Sequence, residues 1–245
     1  MRLEVLIPPA ATQPVIPQFE HADACVTNVK SLFCWSWVGA NWGSQLQPRL
    51  IEHIELTAIA LAAGMLIAFA AALFALRRGW FEQGFTGFSS LLYTIPALAL
   101  FELLVPVTGL GVVTIEIGLI GYTLLVLFRN SVEGLRSAPP EVVAAASGMG
   151  MDPRQILWRV NIPLAIPSML AGLRVATVTT ISLATVAAYI SPFGLGQPII
   201  SAIQDSFNTE LIAAGGLAIL LALFADGVMV LFQRAATPWV RAARR

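Results

Sequence analysis

Long runs of apolar residues dominate this chain and constrain its fold more than any other feature. Residues 56–76 contain no charged side chain. The runs 85–105, 107–128, 164–190 and 211–232 are similar in length, and each holds one charged residue. About 20 apolar residues in a helix cross the hydrocarbon core, and lipid offers no partner for unpaired backbone groups. The sequence therefore predicts an all-α polytopic membrane protein with five transmembrane helices.

The composition supports this prediction. Hydrophobic residues make up 57% of the 245 positions and charged residues only 11%, whereas roughly one-quarter of an ordinary soluble domain is charged. The first thirty residues lack the basic start and apolar centre of a secretory signal. We therefore expect an uncleaved extracytoplasmic tail over 1–52, a transmembrane domain over 53–234 and a basic cytoplasmic tail over 235–245.

The basic residues orient the chain, because loops on the cytoplasmic side of a membrane are enriched in Lys and Arg. Ten of them follow the first, third and fifth apolar runs, and three lie on the opposite side. The first group is Arg77, Arg78, Arg129, Arg136, Arg154, Arg159, Arg234, Arg241, Arg244 and Arg245, and the second is Arg2, Lys30 and Arg49. The pattern predicts an N-terminus outside and a C-terminus in the cytoplasm.

The two cysteines, Cys25 and Cys34, fall on the outer side in this topology. Disulfides persist in such oxidising compartments, so a bridge between them is one prediction. Two unpaired thiols in the tail are the alternative.

The sequence offers no residues for an ATP-binding loop, a metal site or a catalytic nucleophile. Its only lysine, Lys30, has no glycine-rich turn beside it, so no Walker loop for ATP exists. His21 and His53 lie far apart without ligand-spaced partners, which argues against a metal site. No Ser or Cys nucleophile with a nearby base is recognisable. The sequence predicts no enzymatic activity, no cofactor and no nucleic-acid partner.

A polar island interrupts the apolar runs at residues 137–163. Glu141 stands just after two prolines suited to a first helical turn, where its charge complements the positive helix end. Gly148 and Gly150 can end that helix with a permissive backbone. The island thus begins with one short helix and a hinge.

A second short helix follows in the island. Asp152 is placed as an N-cap, with Pro153 at the first position and Gln155 able to complete a capping box. We expect this helix to run to about Val160 and to break at 161–163, before the next span. On the residues alone, the island either covers lipid headgroups or docks another protein through its small side chains.

The spacing in the island resembles the cytoplasmic coupling loop of ABC-importer permeases. The family pattern is Glu-Ala-Ala, three residues, Gly, nine residues, a hydrophobic residue, any residue, an aliphatic residue and Pro. The positions that fall on it are Ala144, Ala145, Ala146, Gly150, Val160, Ile162 and Pro163. The resemblance implies that this loop sits in a groove of a separate ATPase subunit and transmits its closure.

One position departs from the family pattern. Its Glu is Ala144 here, and Glu141 lies three residues earlier, on nearly the same helix face. We hypothesise that Glu141 takes over any ion pair which the family's Glu makes.

From about residue 53 to 233 the chain resembles the permeases of osmoprotectant importers. The segments TIPALAL at 94–100 and GLR at 172–174 are among those that support the resemblance most specifically. The resemblance implies a type I ABC-importer fold in a bacterial cytoplasmic membrane and a substrate such as glycine betaine, choline or carnitine. The implied partners are ATP-binding subunits, an extracytoplasmic binding protein and a second permease, identical or related. The SPFGLGQ turn at 191–197 departs from the family's glycine-rich turn, so the outer gate is expected to differ.

Four charged residues lie within the predicted spans: Glu102, Glu116, Arg174 and Asp226. A charge facing lipid at mid-membrane is unfavourable, so inward or end-of-helix positions are expected. Structural pairing, for example of Arg174 with an acid, is one interpretation. In the other, Glu102 or Asp226 lines the transport path and attracts a trimethylammonium group.

Three other functions are compatible with the sequence. The substrate could be methionine-like or phosphonate-like in the same transport class. A self-sufficient secondary carrier or channel could use an ion gradient through Glu116 or Asp226. A membrane-embedded enzyme is the third, and no nucleophile–base pair supports it.

Overall fold

The computed structural model describes residues 32–238, and every regular element in that part of the chain is helical. The predicted bridge involves Cys25, which lies outside the described residues, as do residues 239–245 of the C-terminal tail. The helices are α1 (Trp35–Asn41), α2 (Gln47–Ala75), α3 (Gly79–Thr94), α4 (Ala97–Thr108), α5 (Val112–Arg136), α6 (Pro140–Gly148), α7 (Pro153–Ile156), α8 (Ile162–Ala187), α9 (Gly196–Gln204) and α10 (Asn208–Ala236), with π-helical turns at Trp42–Leu46 and Leu157–Asn161.

Four helical stretches within residues 32–238 are long and apolar enough to cross a membrane. They are Trp35–Ala75, Val112–Arg136, Pro153–Ala187 and Asn208–Ala236. The bent pair α3 and α4 makes a fifth if the two helices are counted as one span. The prediction of an all-α protein with five apolar segments is thus confirmed.

The second predicted span, 85–105, is wrong as a single straight helix. Its two halves, α3 and α4, meet at an angle of 105°. Pro96 explains the break, because it lacks an N–H and forces the residue before it into an extended backbone. Ile95 has φ −68° and ψ 132°, and its carbonyl accepts a hydrogen bond from the Tyr122 hydroxyl instead of closing a helical turn.

The helix of the first span begins earlier than the sequence suggested. It starts at Trp35 and passes through the π-helical turn Trp42–Leu46 into α2. The Gln47 amide donates to the Trp42 carbonyl five residues back. Pro48, the second residue of α2, follows this π-helical turn without ending the helix. Residues assigned to the tail therefore extend the first helix.

The predicted helix break at residues 161–163 is also wrong. From Pro153 to Ala187 the chain is one helical stretch. Within it the Ile162 amide donates to the Leu157 carbonyl five residues back. This wider turn accommodates Pro163, the second residue of α8, inside the continuous helix. The polar island is therefore joined rigidly to the fourth apolar span.

Helix α5 occupies the centre of the fold and packs against α2, α3, α4 and α8. Small residues allow the close approach. A Cβ built on Gly64 of α2 would lie 2.0 Å from the Thr123 Oγ1 of α5, and one on Gly172 of α8 would lie 2.6 Å from the Asn130 Cβ of α5. Neither position accepts a larger residue without a shift of its neighbour.

Helix α10 forms one side of the fold and packs against α8 and α9. Only 6% of its most apolar stretch of 18 residues is buried, whereas 56% of the corresponding stretch of α5 is buried. Large apolar side chains such as Leu223 and Phe224 remain exposed. This side of the fold is therefore suited to lipid or to another membrane subunit.

Candidate functional site

The first helix of the polar island, α6, has the predicted boundaries. Pro140 stands in its first turn with Glu141 beside it, and Pro139 before it is extended, with ψ 138°. The helix ends at Gly148. Gly150 then has φ +83°, a left-handed value that side chains rarely adopt. The glycines thus form the hinge expected from the sequence.

The predicted capping box at Asp152 is confirmed. The Gln155 amide donates to the Asp152 Oδ1 at 2.8 Å, and the Asp152 amide donates to the Gln155 Oε1 at 3.1 Å. Two amides at the helix start are satisfied in this way. The second helix of the island therefore has a fixed starting point directly after the hinge.

The outward face of α6 carries small apolar side chains and one carboxylate. Glu141, Ala144 and Ala145 are exposed, whereas Ala146 is only 2% exposed and faces the protein. Two of the three alanines, rather than all three, are therefore available to a partner. The sequence analysis missed the neighbouring Met149 and Trp158, which are 72% and 63% exposed. Exposed apolar side chains at this position are available to a partner protein or to the lipid surface.

A salt bridge beside the island joins the end of α5 to α3. The Arg136 guanidinium at the end of α5 donates two hydrogen bonds, at 2.8 Å and 2.6 Å, to the carboxylate of Glu82 in α3. The Ser137 hydroxyl then donates to the Gly134 carbonyl at 2.7 Å. The sequence pattern gave no signal for this bridge, because the two charged residues are 54 positions apart. It fixes where the chain leaves α5 for α6.

The structure brings two of the four intramembrane charges together. Arg174 of α8 makes a bidentate ion pair with Asp226 of α10; its Nε donates to Asp226 Oδ1, and its Nη2 donates to Oδ2 at 2.8 Å. The pair lines a cavity of about 510 Å³ between the two helices. One interpretation of the sequence paired Arg174 with an acidic residue, and in the structure that residue is Asp226.

The other two charges stay apart from this pair. Glu102 is exposed on α4. Both carboxylate oxygens of Glu116, on α5, are buried and have no hydrogen-bond partner among residues 32–238. Neither residue forms an ion pair within the described part of the chain.

The turn 191–197, which the sequence analysis expected at the outer gate, is fastened to the start of α2, a contact that the sequence did not reveal. The Arg49 Nη1 donates to the Glu52 Oε2 at 2.9 Å and to the Pro192 carbonyl at 2.8 Å. The same Glu52 oxygen accepts the Gly194 amide at 3.0 Å. We call this arrangement, together with His53, the outer latch.

His53 is fully buried beneath the outer latch. Its Nδ1 accepts the Leu195 amide at 3.3 Å, and its Nε2 lies 3.0 Å from the Ile181 carbonyl, to which it donates. Gly194 has φ +65°, and a Cβ there would lie 2.8 Å from the His53 Nδ1. A side chain at Gly194 would therefore break the latch. His53 has a structural role here, and no group of metal-binding residues occurs within 32–238.

Sequence comparisons show that this chain is similar to transport proteins. The chain is 30% identical over 197 residues to the choline transport system permease protein of Bacillus subtilis, covering 80% of this chain and 90% of that protein. It is 33% identical to the osmoprotectant import permease protein of Salmonella typhimurium, covering 76% and 89%.

A third relative is longer than this chain. The chain is 41% identical over 143 residues to the ergothioneine transport permease/ergothioneine binding protein of Helicobacter pylori. That match covers 58% of this chain but only 26% of the Helicobacter protein. The similarity therefore concerns about a quarter of that protein's length.

Solved structures share the fold. The inward-facing methionine ABC transporter superposes with a TM-score of 0.67 at 17% identity, covering 76% of this chain and 93% of that one. An amino acid ABC transporter crystallised with histidines gives 0.63 at 19% identity. The sequence family described as the binding-protein-dependent transport system inner membrane component matches residues 34–241. The chain is a member of this family of inner membrane transport components.

Proposed function

We propose that this chain is the permease subunit of an ATP-driven importer for quaternary-ammonium compounds such as glycine betaine, choline or carnitine. Family membership supports the transport role. The observation that carries the ATP-driven part is the α6 hinge and its capping box, since they present a compact, exposed face at the start of a continuous helix into the membrane.

Energy reaches the spans mechanically in this proposal. ATPase subunits contact the exposed face of α6 around Glu141, Ala144 and Ala145. Their closure moves the capped turn at Asp152, and the unbroken stretch from Pro153 to Ala187 carries that motion across the membrane. The salt bridge between Arg136 and Glu82 holds the other end of the island in place.

The orientation follows from the basic residues. Arg136, Arg154 and Arg159 all lie in or beside the island, and such clusters favour the cytoplasmic side. The ATPase face and the C-terminus are then cytoplasmic, and the outer latch faces outward. A separate binding protein delivers the solute there, and a second permease copy or a related subunit completes the path.

The substrate class is supported by the relatives named above. Their printed substrates include choline, osmoprotectants and ergothioneine. Choline and ergothioneine share a trimethylammonium group, and so do glycine betaine and carnitine. A trimethylammonium ion carries its charge under an apolar surface, so apolar walls with few polar groups can hold it.

Uptake of radiolabelled solutes by cells tests the proposal. A strain without native osmolyte uptake would express the chain with its ATPase and binding-protein partners, and glycine betaine, choline, ergothioneine and methionine would be compared. We expect uptake of trimethylammonium solutes and none of methionine. Uptake of methionine alone would refute the substrate class, and uptake by cells that express only this chain would favour the secondary carrier.

A further inference from the structure

The ion pair between Arg174 and Asp226 is only partly covered. The side chains are 42% and 31% exposed, respectively, although each lies well inside a membrane-spanning helix. Charged side chains within spans face the interior of a bundle or a water-filled cavity. The open side of this pair therefore faces water, a solute or another subunit rather than lipid.

The pair also retains unused hydrogen-bonding capacity. Its two bonds use the Nε and Nη2 of Arg174. The Nη1 of that guanidinium has no hydrogen-bond acceptor among the described residues. Because a guanidinium has five N–H donors in a fixed fork, one edge of it is free to bind a second carboxylate.

The walls around the pair are suited to methyl groups. We call the space between α8 and α10 the charged groove, and Ala171, Val175 and Val178 supply its apolar wall. Through Val178 it adjoins an outer cavity of about 270 Å³, which the hydroxyl residues Ser182 and Thr185 help to line. The two cavities together follow α8 from Ala171 to Thr185.

We propose that the charged groove binds the solute during transport and selects zwitterions that carry both a trimethylammonium and a carboxylate group. Arg174 donates from Nη1 to the solute carboxylate. The trimethylammonium group lies against the Asp226 carboxylate and the valine wall. This inference rests on the proposed function and assigns the specificity to two residues.

The two charges predict opposite effects on two solutes. Glycine betaine has a carboxylate one methylene from its ammonium group, whereas choline has a hydroxyl in place of the carboxylate. Arg174 attracts the first solute and repels the second, which has only a positive charge. The variant Arg174→Gln should therefore reduce glycine betaine uptake and leave choline uptake equal or higher.

The experiment measures initial uptake of both solutes by the complete transporter in the same vesicles. We expect Arg174→Gln to lower the ratio of glycine betaine to choline uptake, at subsaturating solute, by about 10-fold or more, as for the loss of a charged hydrogen bond. The double variant Arg174→Gln/Asp226→Asn leaves no uncompensated charge in the groove. It should lower the uptake of both solutes, and that of glycine betaine more.

Arg136→Gln is the matched control, because it removes the bidentate pair with Glu82 outside the groove and should leave the uptake ratio unchanged. If the groove variants also leave the ratio unchanged, the pair is only structural and the inference is overturned. A wild type that carries choline but not glycine betaine overturns it as well. If the wild type carries glycine betaine alone, Arg174→Gln must reduce that uptake, and unchanged uptake overturns the inference. A wild type that carries neither solute contradicts the proposed function itself.

Discussion

The outer latch predicts that Gly194→Ala destabilises the protein by two separable effects. Gly194 has φ +65°, where a residue with a Cβ is strained by roughly 1–2 kcal/mol. The added Cβ would also lie 2.8 Å from the His53 Nδ1 and 3.3 Å from the His53 Cα. Forcing a methyl group into so tight a site costs typically about 1–3 kcal/mol. We therefore expect a total loss of about 2–5 kcal/mol in the free energy of unfolding.

Thermal unfolding of the purified protein measures this loss. At about 2–4 °C per kcal/mol for a chain of this size, the Tm should fall by roughly 4–20 °C. Gly150→Ala is the matched control, because Gly150 has φ +83° and no atom lies within 4 Å of its added Cβ. That variant should lose only the conformational part, roughly 1–2 kcal/mol.

Gly216→Ala is a second control, since Gly216 lies in α10 with nothing within 4 Å of its added Cβ. Alanine is the better helix former, so its Tm should stay equal or rise slightly. The reasoning is refuted if Gly194→Ala melts at the same temperature as Gly150→Ala, because the contact with His53 would then contribute nothing.

Three further predictions concern the island and the buried carboxylate. Asp152→Ala should remove about 0.5–2 kcal/mol of local helix stability, seen as faster amide exchange of Gln155; unchanged exchange would contradict the cap. Glu141→Ala should lower both solute-stimulated ATPase activity and uptake, and unaltered rates would exclude Glu141 as a replacement for the family's Glu. Glu116→Gln replaces a buried carboxyl group that has no hydrogen-bond partner among residues 32–238, so ATP-driven uptake should persist; a folded variant with no uptake would favour a carrier that uses an ion gradient.

The sequence predicted those parts of the fold that depend on local signals. Apolar length located the spans, and the order Asp152, Pro153, Gln155 was enough to place the capping box, since all its hydrogen bonds lie within four residues. The same local reasoning wrongly predicted that Pro163 ends the helix. A π-helical turn accommodated that proline without ending the helix.

The candidate sites were less accessible to sequence reasoning. Arg174 and Asp226 were identified separately because a charge in an apolar run is conspicuous, but 52 residues separate them and only the fold pairs them. The latch between Glu52 and Gly194 spans 142 residues. Such contacts depend on how helices pack, and no periodicity along the chain encodes them.

We propose that this chain moves solute only with energy supplied by a separate ATPase. Proteoliposomes that contain the chain together with its ATPase subunits should accumulate radiolabelled glycine betaine when ATP and the binding protein are present, and should accumulate none when ATP is omitted. Accumulation by the chain alone, driven by an ion gradient without nucleotide, would contradict the account.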